Sequence, residues 1–150
     1  MQPAPDEVSR DQLSLEFQAC PAAVRDALRR MLSRPPLSTL SDEGRGTAEL
    51  VLAEVLNNVA EHAYGDTPGP VTVTLRQEPH GVTCLIVDQG AAMPGGKLPA
   101  GRLPDTPGLA LDELPEGGFG WHLIRSLTLD LRYARAGGCN QLRFVLPDAG

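Results

Sequence analysis

Alternation and helical spacing define the first two elements of the chain. Residues 13 to 18 alternate between apolar and polar side chains, which is the period of a half-buried strand. Pro21 then suits the first turn of a helix, and apolar residues repeat at helical spacing from there until Pro35. The pattern therefore predicts a strand followed by an amphipathic helix over residues 21 to 34.

A second helix is predicted in the middle of the chain, after a loop over residues 35 to 46. The run from Thr47 to Tyr64 contains neither Gly nor Pro, and Gly65 follows it, as is common just past a helix end. At about 100° per residue, one side of this helix is apolar and is expected to be buried. Another side carries a single polar stripe, formed by Glu54, Asn58, Glu61 and His62.

Two hairpins complete the predicted sheet. Their strands are residues 71 to 76 with 82 to 88, and about 128 to 135 with 140 to 146. The second hairpin has a Gly137-Gly138 turn, and a short helix at about residues 123 to 127 precedes it. This order of elements predicts an α+β two-layer sandwich, in which helices cover one face of a mixed, largely antiparallel sheet. The open sheet face is left to solvent or to a partner.

Length and composition indicate one domain. At 150 residues, with 41% hydrophobic and 21% charged residues, we expect a single domain over residues 1 to 150. No apolar run reaches the ~20 residues that cross a bilayer. Residues 1 to 11 also lack the basic start and apolar core of a secretory signal. We therefore expect a cytoplasmic protein that is not bound to a membrane.

The charge of the chain argues against general binding to nucleic acid. The net charge is -6, whereas neutralising phosphates requires clustered Lys and Arg. Basic residues do gather on the first predicted helix, where they form either a docking face or an ordinary solvated face; they are Arg25, Arg29, Arg30 and Arg34. A protein partner is therefore expected in place of a nucleic acid.

The three cysteines suggest neither a disulfide nor a zinc site. Cys20, Cys84 and Cys139 are odd in number and far apart in the sequence. None has a second Cys or a His at metal-ligand spacing. We expect three reduced thiols.

The polar stripe of the central helix carries the first candidate chemistry. Glu54 and Asn58 are one turn apart, so their side chains lie about 6 Å from each other and can meet the same ligand. The oxygen of Asn58 can join the phosphates and waters that usually hold Mg²⁺, which leaves Glu54 free as a general base. The alternative is an ordinary exposed helix face.

Two further segments suit a nucleotide. Asp88 ends a predicted strand, where a fixed carboxylate can accept a hydrogen bond from an exocyclic amine such as that of adenine. Residues 116 to 120 are rich in glycine and lead into a predicted helix, whose free N–H groups can receive phosphates. Taken alone, the first segment is also a common strand-to-turn sequence and the second a simple hinge.

Together and in this order, the segments resemble the Bergerat-fold ATPase superfamily, which includes gyrase and the sensor histidine kinases. Residues 54 to 64 (EVLNNVAEHAY) look like the N box, residues 88 to 94 (DQGAAMP) like the first glycine box, and residues 118 to 124 (GFGWHLI) like the second. The ending His62-Ala63-Tyr64 resembles the anti-sigma-factor serine kinases more closely than the histidine kinases. The resemblance covers about residues 10 to 147.

The resemblance also implies a lid. Residues 91 to 118 stand where the family carries its ATP lid, and eleven of these 28 residues are Gly or Pro. At that density no regular element is expected. We predict that this segment is mobile and becomes ordered by nucleotide.

For individual residues, the resemblance implies specific roles. Glu54 matches the catalytic base, Asn58 the Mg²⁺ ligand and Asp88 the residue that holds adenine. Further contacts to the nucleotide are implied at His62, Gly90, Met93, Gly118, Gly120 and Asn140. Two positions depart from the family: Ala92 replaces the second glycine of the first box, and Asn140 falls about where a Thr often helps to bind adenine. Trp121 and His122 receive no catalytic role.

The resemblance therefore implies an Mg-ATP-dependent serine-protein kinase. It would phosphorylate an anti-anti-sigma-type partner and sequester a sigma factor, with a homodimer as one form it can take. One alternative is a non-catalytic regulator whose bound nucleotide selects the partner-binding state. A third reading, an ATPase in which Glu54 activates water, is less favoured because gyrase-type members use an additional transducer domain.

Overall fold

A five-stranded antiparallel sheet and three α-helices form the fold in the computed structural model, which describes residues 11 to 99 and 118 to 147. The elements in chain order are β1 (Gln12–Gln18), α1 (Pro21–Leu32), α2 (Asp42–Asn58), a π-helix (Val59–Tyr64), β2 (Pro70–Glu78), β3 (Gly81–Asp88), α3 (Gly118–Leu127), β4 (Leu129–Ala136) and β5 (Cys139–Pro147). Each predicted strand is present, and so are the three predicted helices. The α+β class is confirmed.

The order of the strands brings distant segments together at one end of the sheet. It runs β1-β2-β3-β5-β4, and each pairing between neighbouring described strands is antiparallel. Because β5 lies between β3 and β4, the last residue of β3, Asp88, is directly opposite Asn140 near the start of β5. The end of the first hairpin therefore meets the start of the last strand.

The turn between β4 and β5 sets the register of that hairpin. Gly137 and Gly138 have φ of +59° and +78°. Two successive positive φ values match the twist of a two-residue hairpin turn, and they favour glycine at both positions. With this turn fixed, Arg135 is opposite Asn140 and Tyr133 is opposite Leu142.

The core lies between one face of the sheet and the helices. Alternate residues of the strands point into it, as the period-2 pattern predicts. Burying each large aliphatic side chain contributes about 1.5–3 kcal/mol. Its fully buried members include Leu13, Leu15, Val73, Leu75, Ile86 and Phe144 from the sheet, and Val24, Met31, Leu52, Leu56 and Ile124 from the helices.

The opposite face of the sheet is half-buried to exposed. One row of directly opposed residues crosses all five strands, from Ser14 through Thr74, Leu85 and Arg143 to Arg132. A shallow groove of about 520 Å³ runs over this face. None of the residues predicted to form a site lines it.

Helix α2 begins earlier than the sequence pattern predicts. It starts at Asp42, so the predicted loop over residues 35 to 46 is wrong for its last part. The hydroxyl of Ser41 accepts a hydrogen bond from the N–H of Gly44 at 3.0 Å and caps the helix. Asp42 and Glu43 also place negative charge in its first turn. These signals at the start of the helix outweigh the low helix propensity of Gly44 and Gly46.

The central helix is α-helical only as far as Asn58, whereas the predicted wheel treats it as α-helical to Tyr64. Residues Val59–Tyr64 form a π-helix, and the N–H of Gly65 closes it on the carbonyl of Ala60 at 3.1 Å. Each turn of a π-helix holds more residues than an α-helical turn. The wheel angles assigned to Glu61 and His62 therefore do not apply, and the side chains of these two residues are 70% and 56% exposed.

The Gly- and Pro-rich segment is described only at its ends. Residues 94 to 96 form a short 3₁₀ turn, and α3 begins at Gly118, several residues before the predicted helix. The prediction of no regular element is thus wrong at the beginning of the segment. Residues 100 to 117, which hold most of the predicted lid, lie outside the described residues.

Candidate functional site

A narrow cavity lies where the π-helix, the end of β3 and the start of β5 meet. It has a volume of about 60 Å³. Five residues predicted as ligand contacts line it together, namely Asn58, His62, Asp88, Met93 and Asn140. Ligand pockets usually measure about 300–1,000 Å³, so this one has to widen to take a whole nucleotide.

Asp88 is the buried acid of this cavity. The residue is 5% exposed. Oδ1 accepts two hydrogen bonds, from the N–H of Gly90 and from Nδ2 of Asn140, both at 2.8 Å. Within residues 11 to 99 and 118 to 147, no hydrogen bond to Oδ2 is present. Within these residues, one carboxylate oxygen is therefore fixed by the protein, and the other is open to a donor.

Asn140 uses its full hydrogen-bonding capacity on protein groups. Its Nδ2 donates to Asp88 and to the carbonyl of Ala91, both at 2.8 Å. Its Oδ1 accepts from the Tyr133 hydroxyl at 2.6 Å and from Nη1 of Arg135 at 3.1 Å. Because a carboxamide has two donor hydrogens and two acceptor lone pairs, Asn140 has none left for a direct bond to a ligand.

Asn58 presents an unsatisfied polar group beside the cavity. Its Nδ2 is buried, with no hydrogen-bond partner in the described part of the chain. Leaving a buried donor unpaired costs about 1–3 kcal/mol. A phosphate oxygen that accepts from Nδ2, or a rotated carboxamide whose oxygen faces Mg²⁺, would each relieve this cost. The carboxamide therefore fits the group that the sequence predicts here.

Glu54 does not line the cavity but meets the start of α3. A Cβ added to Gly120 would lie 2.5 Å from Oε2 of Glu54, so the carboxylate rests directly against this glycine. Gly120 belongs to the first turn of α3, and the N–H groups in the first turn of a helix have no partner within that helix, which gives it a positive end. Gly118 opens the same helix. The candidate site thus extends from the cavity to the N-terminus of α3.

Gly90 lets the loop after β3 pack on the π-helix. A Cβ at Gly90 would overlap the carbonyl oxygen of Ala63. The next residue, Ala91, donates its N–H to the same carbonyl at 2.7 Å. Glycine is therefore required at position 90 by a close approach of two backbones.

Tyr64 ties the end of the π-helix to the start of β2 and to the residue that follows β3. Its hydroxyl donates to the carbonyl of Pro70 at 2.6 Å and accepts from the N–H of Gln89 at 2.7 Å. Burial raises the pKa of Tyr64, the hydrogen bond from Gln89 lowers it in part, and the nearby charge of Asp88 raises it further. Tyr64 thereby holds the π-helix against the segment that carries Asp88.

Three residues of the site are missed by sequence reasoning, and they are Trp121, Tyr133 and Arg135. Trp121 is 3% exposed and lines the cavity, as does Tyr133. Arg135 donates to the carbonyl of Gly90 at 2.6 Å as well as to Asn140. The Gly137-Gly138 turn is the signal that was available, because a two-residue turn places Arg135 opposite Asn140.

His122 and the three cysteines do not line the cavity. His122 lies 3.4 Å from the hydroxyl of Ser126 on the surface of α3. The three cysteines are free thiols, as predicted, and only Cys84 among them is fully buried. No helix in the described ranges is long and apolar enough to span a membrane.

A family model described as the histidine kinase-like ATPase domain matches residues 17 to 146. The match includes each residue assigned to the candidate site. A search of curated proteins finds no match to the chain.

Proposed function

The chain belongs to the family of histidine kinase-like ATPase domains, and from this premise we propose that it is a serine-protein kinase of the anti-sigma-factor kind. Membership in the family implies ATP binding. The finer assignment depends on one observation above the others, which is the contact of the Glu54 carboxylate with Gly120 at the start of α3. This contact supports Glu54 as a general base that lies beside the N-terminus of α3, where phosphates can bind.

In this proposal Asp88 recognises the base of the nucleotide. Oδ1 is held by Gly90 and Asn140, while Oδ2 is left for a donor. The 6-amino group of adenine is such a donor, whereas a 6-oxo base offers an acceptor at the same position. The buried carboxylate therefore favours ATP over nucleotides without that amine.

Asn58 would hold Mg²⁺ in this proposal. Its carboxamide is beside the cavity with a buried polar atom unpaired, and magnesium usually takes one or two protein oxygens together with phosphates and waters. The ion would neutralise negative charge on the phosphates. Because Asn58 is one turn from Glu54 in α2, phosphates near the ion would also be near the proposed base.

Phosphoryl transfer then uses Glu54 as the general base. The hydroxyl oxygen of a partner's serine attacks the γ-phosphorus, the bond to the β-phosphate oxygen breaks, and ADP leaves. Glu54 accepts the proton of the serine hydroxyl. Such transfer needs mainly positioning and charge stabilisation, which the N–H groups at the start of α3 would supply.

The proposed acceptor is a protein of the anti-anti-sigma type, and a sigma factor is the proposed target of sequestration. The sequence His62-Ala63-Tyr64 supports this assignment over that of a histidine kinase. In the structure, Tyr64 anchors this segment through Pro70 and Gln89. The proposed partners are proteins and not DNA, in keeping with the net charge of -6.

A non-catalytic regulator is the second candidate. The cavity of about 60 Å³ has to widen for a nucleotide, so nucleotide binding would itself change the surface around it. A protein of this kind would select its partner through nucleotide and transfer no phosphate. Catalysis and regulation by binding therefore differ in one measurable product, phosphoserine.

The test is to incubate the purified chain with Mg-ATP labelled on the γ-phosphate and with the proteins that co-purify from its native cells. We expect label on a serine of one partner. Nucleotide binding with no labelled partner would favour the non-catalytic regulator. Absence of any nucleotide binding would overturn both candidates.

A further inference from the structure

We infer that Tyr133 and Arg135 are positioning residues that hold Asp88 through Asn140 and thereby set the selectivity for adenine. The inference builds on the proposed role of Asp88, and it assigns a role to two side chains that the family resemblance does not mention. Neither residue needs to touch the nucleotide base. Both act on the orientation of one carboxamide.

The contacts form a short relay across β4, β5 and β3. Tyr133 and Arg135 both donate to Oδ1 of Asn140, at 2.6 and 3.1 Å. On its other side, Asn140 donates to Oδ1 of Asp88 at 2.8 Å. The register supports this path, because Arg135 is opposite Asn140 and Asn140 is opposite Asp88.

The direction of each hydrogen bond in the relay follows from its partners. The Tyr133 hydroxyl accepts from the N–H of Met93 at 3.0 Å, so its single hydrogen is left for Asn140. Nδ2 of Asn140 faces two acceptors, Asp88 and the carbonyl of Ala91. Turning the carboxamide over would place its oxygen against the Asp88 carboxylate, with no donor between them. The two donors on Oδ1 therefore fix the orientation that Asp88 requires.

Arg135 also bonds the loop that follows β3, which contains Gly90. Its Nη1 donates to the carbonyl of Gly90 at 2.6 Å, and the N–H of Gly90 in turn donates to Asp88. The side chain is exposed, so water can replace part of its contribution. Tyr133 is half-buried and lines the cavity. We therefore expect the hydroxyl of Tyr133 to contribute more than the guanidinium of Arg135.

A firmly held carboxylate gives base selectivity. Because the protein uses Oδ1 twice, Oδ2 is the oxygen that would accept from a donor on the base, such as the amine of adenine. Hypoxanthine carries a 6-oxo acceptor there, and a site built around a hydrogen bond strongly rejects an analogue that cannot make it. If the Asp88 carboxylate is free to turn, it can move away from the 6-oxo group of hypoxanthine, and ITP is then rejected less strongly. The ratio of affinities for ATP and ITP therefore reports how firmly Asp88 is held.

The experiment measures the Kd of ATP and of ITP, each with Mg²⁺, for the intact chain and its variants. In Tyr133→Phe the ring stays and only the hydroxyl is lost, and we expect the ITP-to-ATP ratio of Kd to fall about 5- to 10-fold. Arg135→Ala should lower the ratio less. Arg132→Ala is the matched control, because Arg132 lies on the same strand, bonds Asp130 and faces the other side of the sheet. It should keep the wild-type ratio.

A second comparison separates positioning from a general loss of structure. If Tyr133 acts through Asn140, then Tyr133→Phe should change the ratio no further once Asn140→Ala is present. Equal additional loss in both backgrounds would overturn the relay, as would an unchanged ratio in Tyr133→Phe. Wild-type protein that binds ATP and ITP equally would instead refute the proposed role of Asp88 itself.

Discussion

Gly120 and Glu54 are so close that no side chain fits between them. A Cβ on Gly120 would lie 2.5 Å from Oε2 of Glu54. The atom in the way is the far end of a flexible side chain, and the backbone of α3 is not blocked. A substitution here should therefore move the proposed base while leaving the fold in place.

Gly120→Ala tests this relationship. We expect the methyl group to displace the Glu54 carboxylate and to reduce phosphoryl transfer by about 10- to 100-fold, less than the roughly 10²- to 10⁴-fold that a positioned base contributes, because the carboxylate is shifted and not removed. The free energy of unfolding should rise by less than the roughly 0.5–1 kcal/mol that alanine gains over glycine in the middle of a helix, because Gly120 lies in the first turn and Glu54 has to move. Steady-state transfer and thermal unfolding measure the two effects. Gly46→Ala in α2 is the control, because nothing lies within 4 Å of its added Cβ; it should stabilise the protein and leave transfer unchanged.

Glu54→Gln tests the base more directly. The amide keeps the size of the side chain but accepts a proton poorly, so binding of nucleotide and partner should persist. Phosphoryl transfer should fall about 10²- to 10⁴-fold. Transfer at the wild-type rate would remove Glu54 from the catalytic role. The measurement needs single-turnover transfer beside direct binding of both ligands.

Asn58→Ala should separate affinity from stability. The buried Nδ2 of Asn58 is unpaired in the protein without nucleotide, so removing it should not lower the free energy of unfolding and should raise it by up to about 1–3 kcal/mol. The affinity for Mg-ATP should fall, because the Mg²⁺ that neutralises the phosphates in this proposal loses its protein ligand. Calorimetric titration with Mg-ATP, alongside chemical unfolding without nucleotide, measures both quantities. A variant with unchanged affinity would contradict the proposed role in Mg²⁺ binding.

Cys84 should react only after unfolding. It is fully buried, and burial raises the pKa of its thiol far above the ordinary range, whereas Cys20 and Cys139 are half-buried. We expect a thiol reagent to modify Cys20 and Cys139 in the native protein and Cys84 only in denaturant. Rapid modification of Cys84 in the native protein would contradict its burial in β3.

The same burial predicts a decline in stability at alkaline pH. The unfolded thiol loses its proton above about pH 8.5, while the folded one keeps it. The unfolded state therefore binds fewer protons there, and the free energy of unfolding falls as pH rises. Tyr64, whose pKa is also raised, should add a second decline above about pH 10. Chemical unfolding of Cys84→Ala across this range should show only the second decline.

Much of the fold follows from local pattern in the sequence. Alternation identifies the strands because a sheet with one buried face needs a period of two, and the Gly137-Gly138 pair fixes a hairpin because both positions take positive φ. Position in the sequence made Glu54, Asn58 and Asp88 candidates, and the family resemblance of the three boxes gave them their expected roles. Their meeting in one site depends on the strand order, which brings β3 and β5 together.

The tertiary structure decided what local spacing cannot express. After Asn58 the helix becomes a π-helix, so the α-helical wheel no longer applies. In this segment the carbonyl of Ala63 accepts from the N–H of Ala91, and the Tyr64 hydroxyl bonds Pro70 and Gln89. These partners are distant in sequence, so no local periodicity encodes them. The role of Asn140 likewise depends on neighbours from other strands, since its amide is saturated by protein groups. The sequence alone selected the residues proposed to carry the chemistry, and packing between strands determined which of their polar groups are already bonded to the protein.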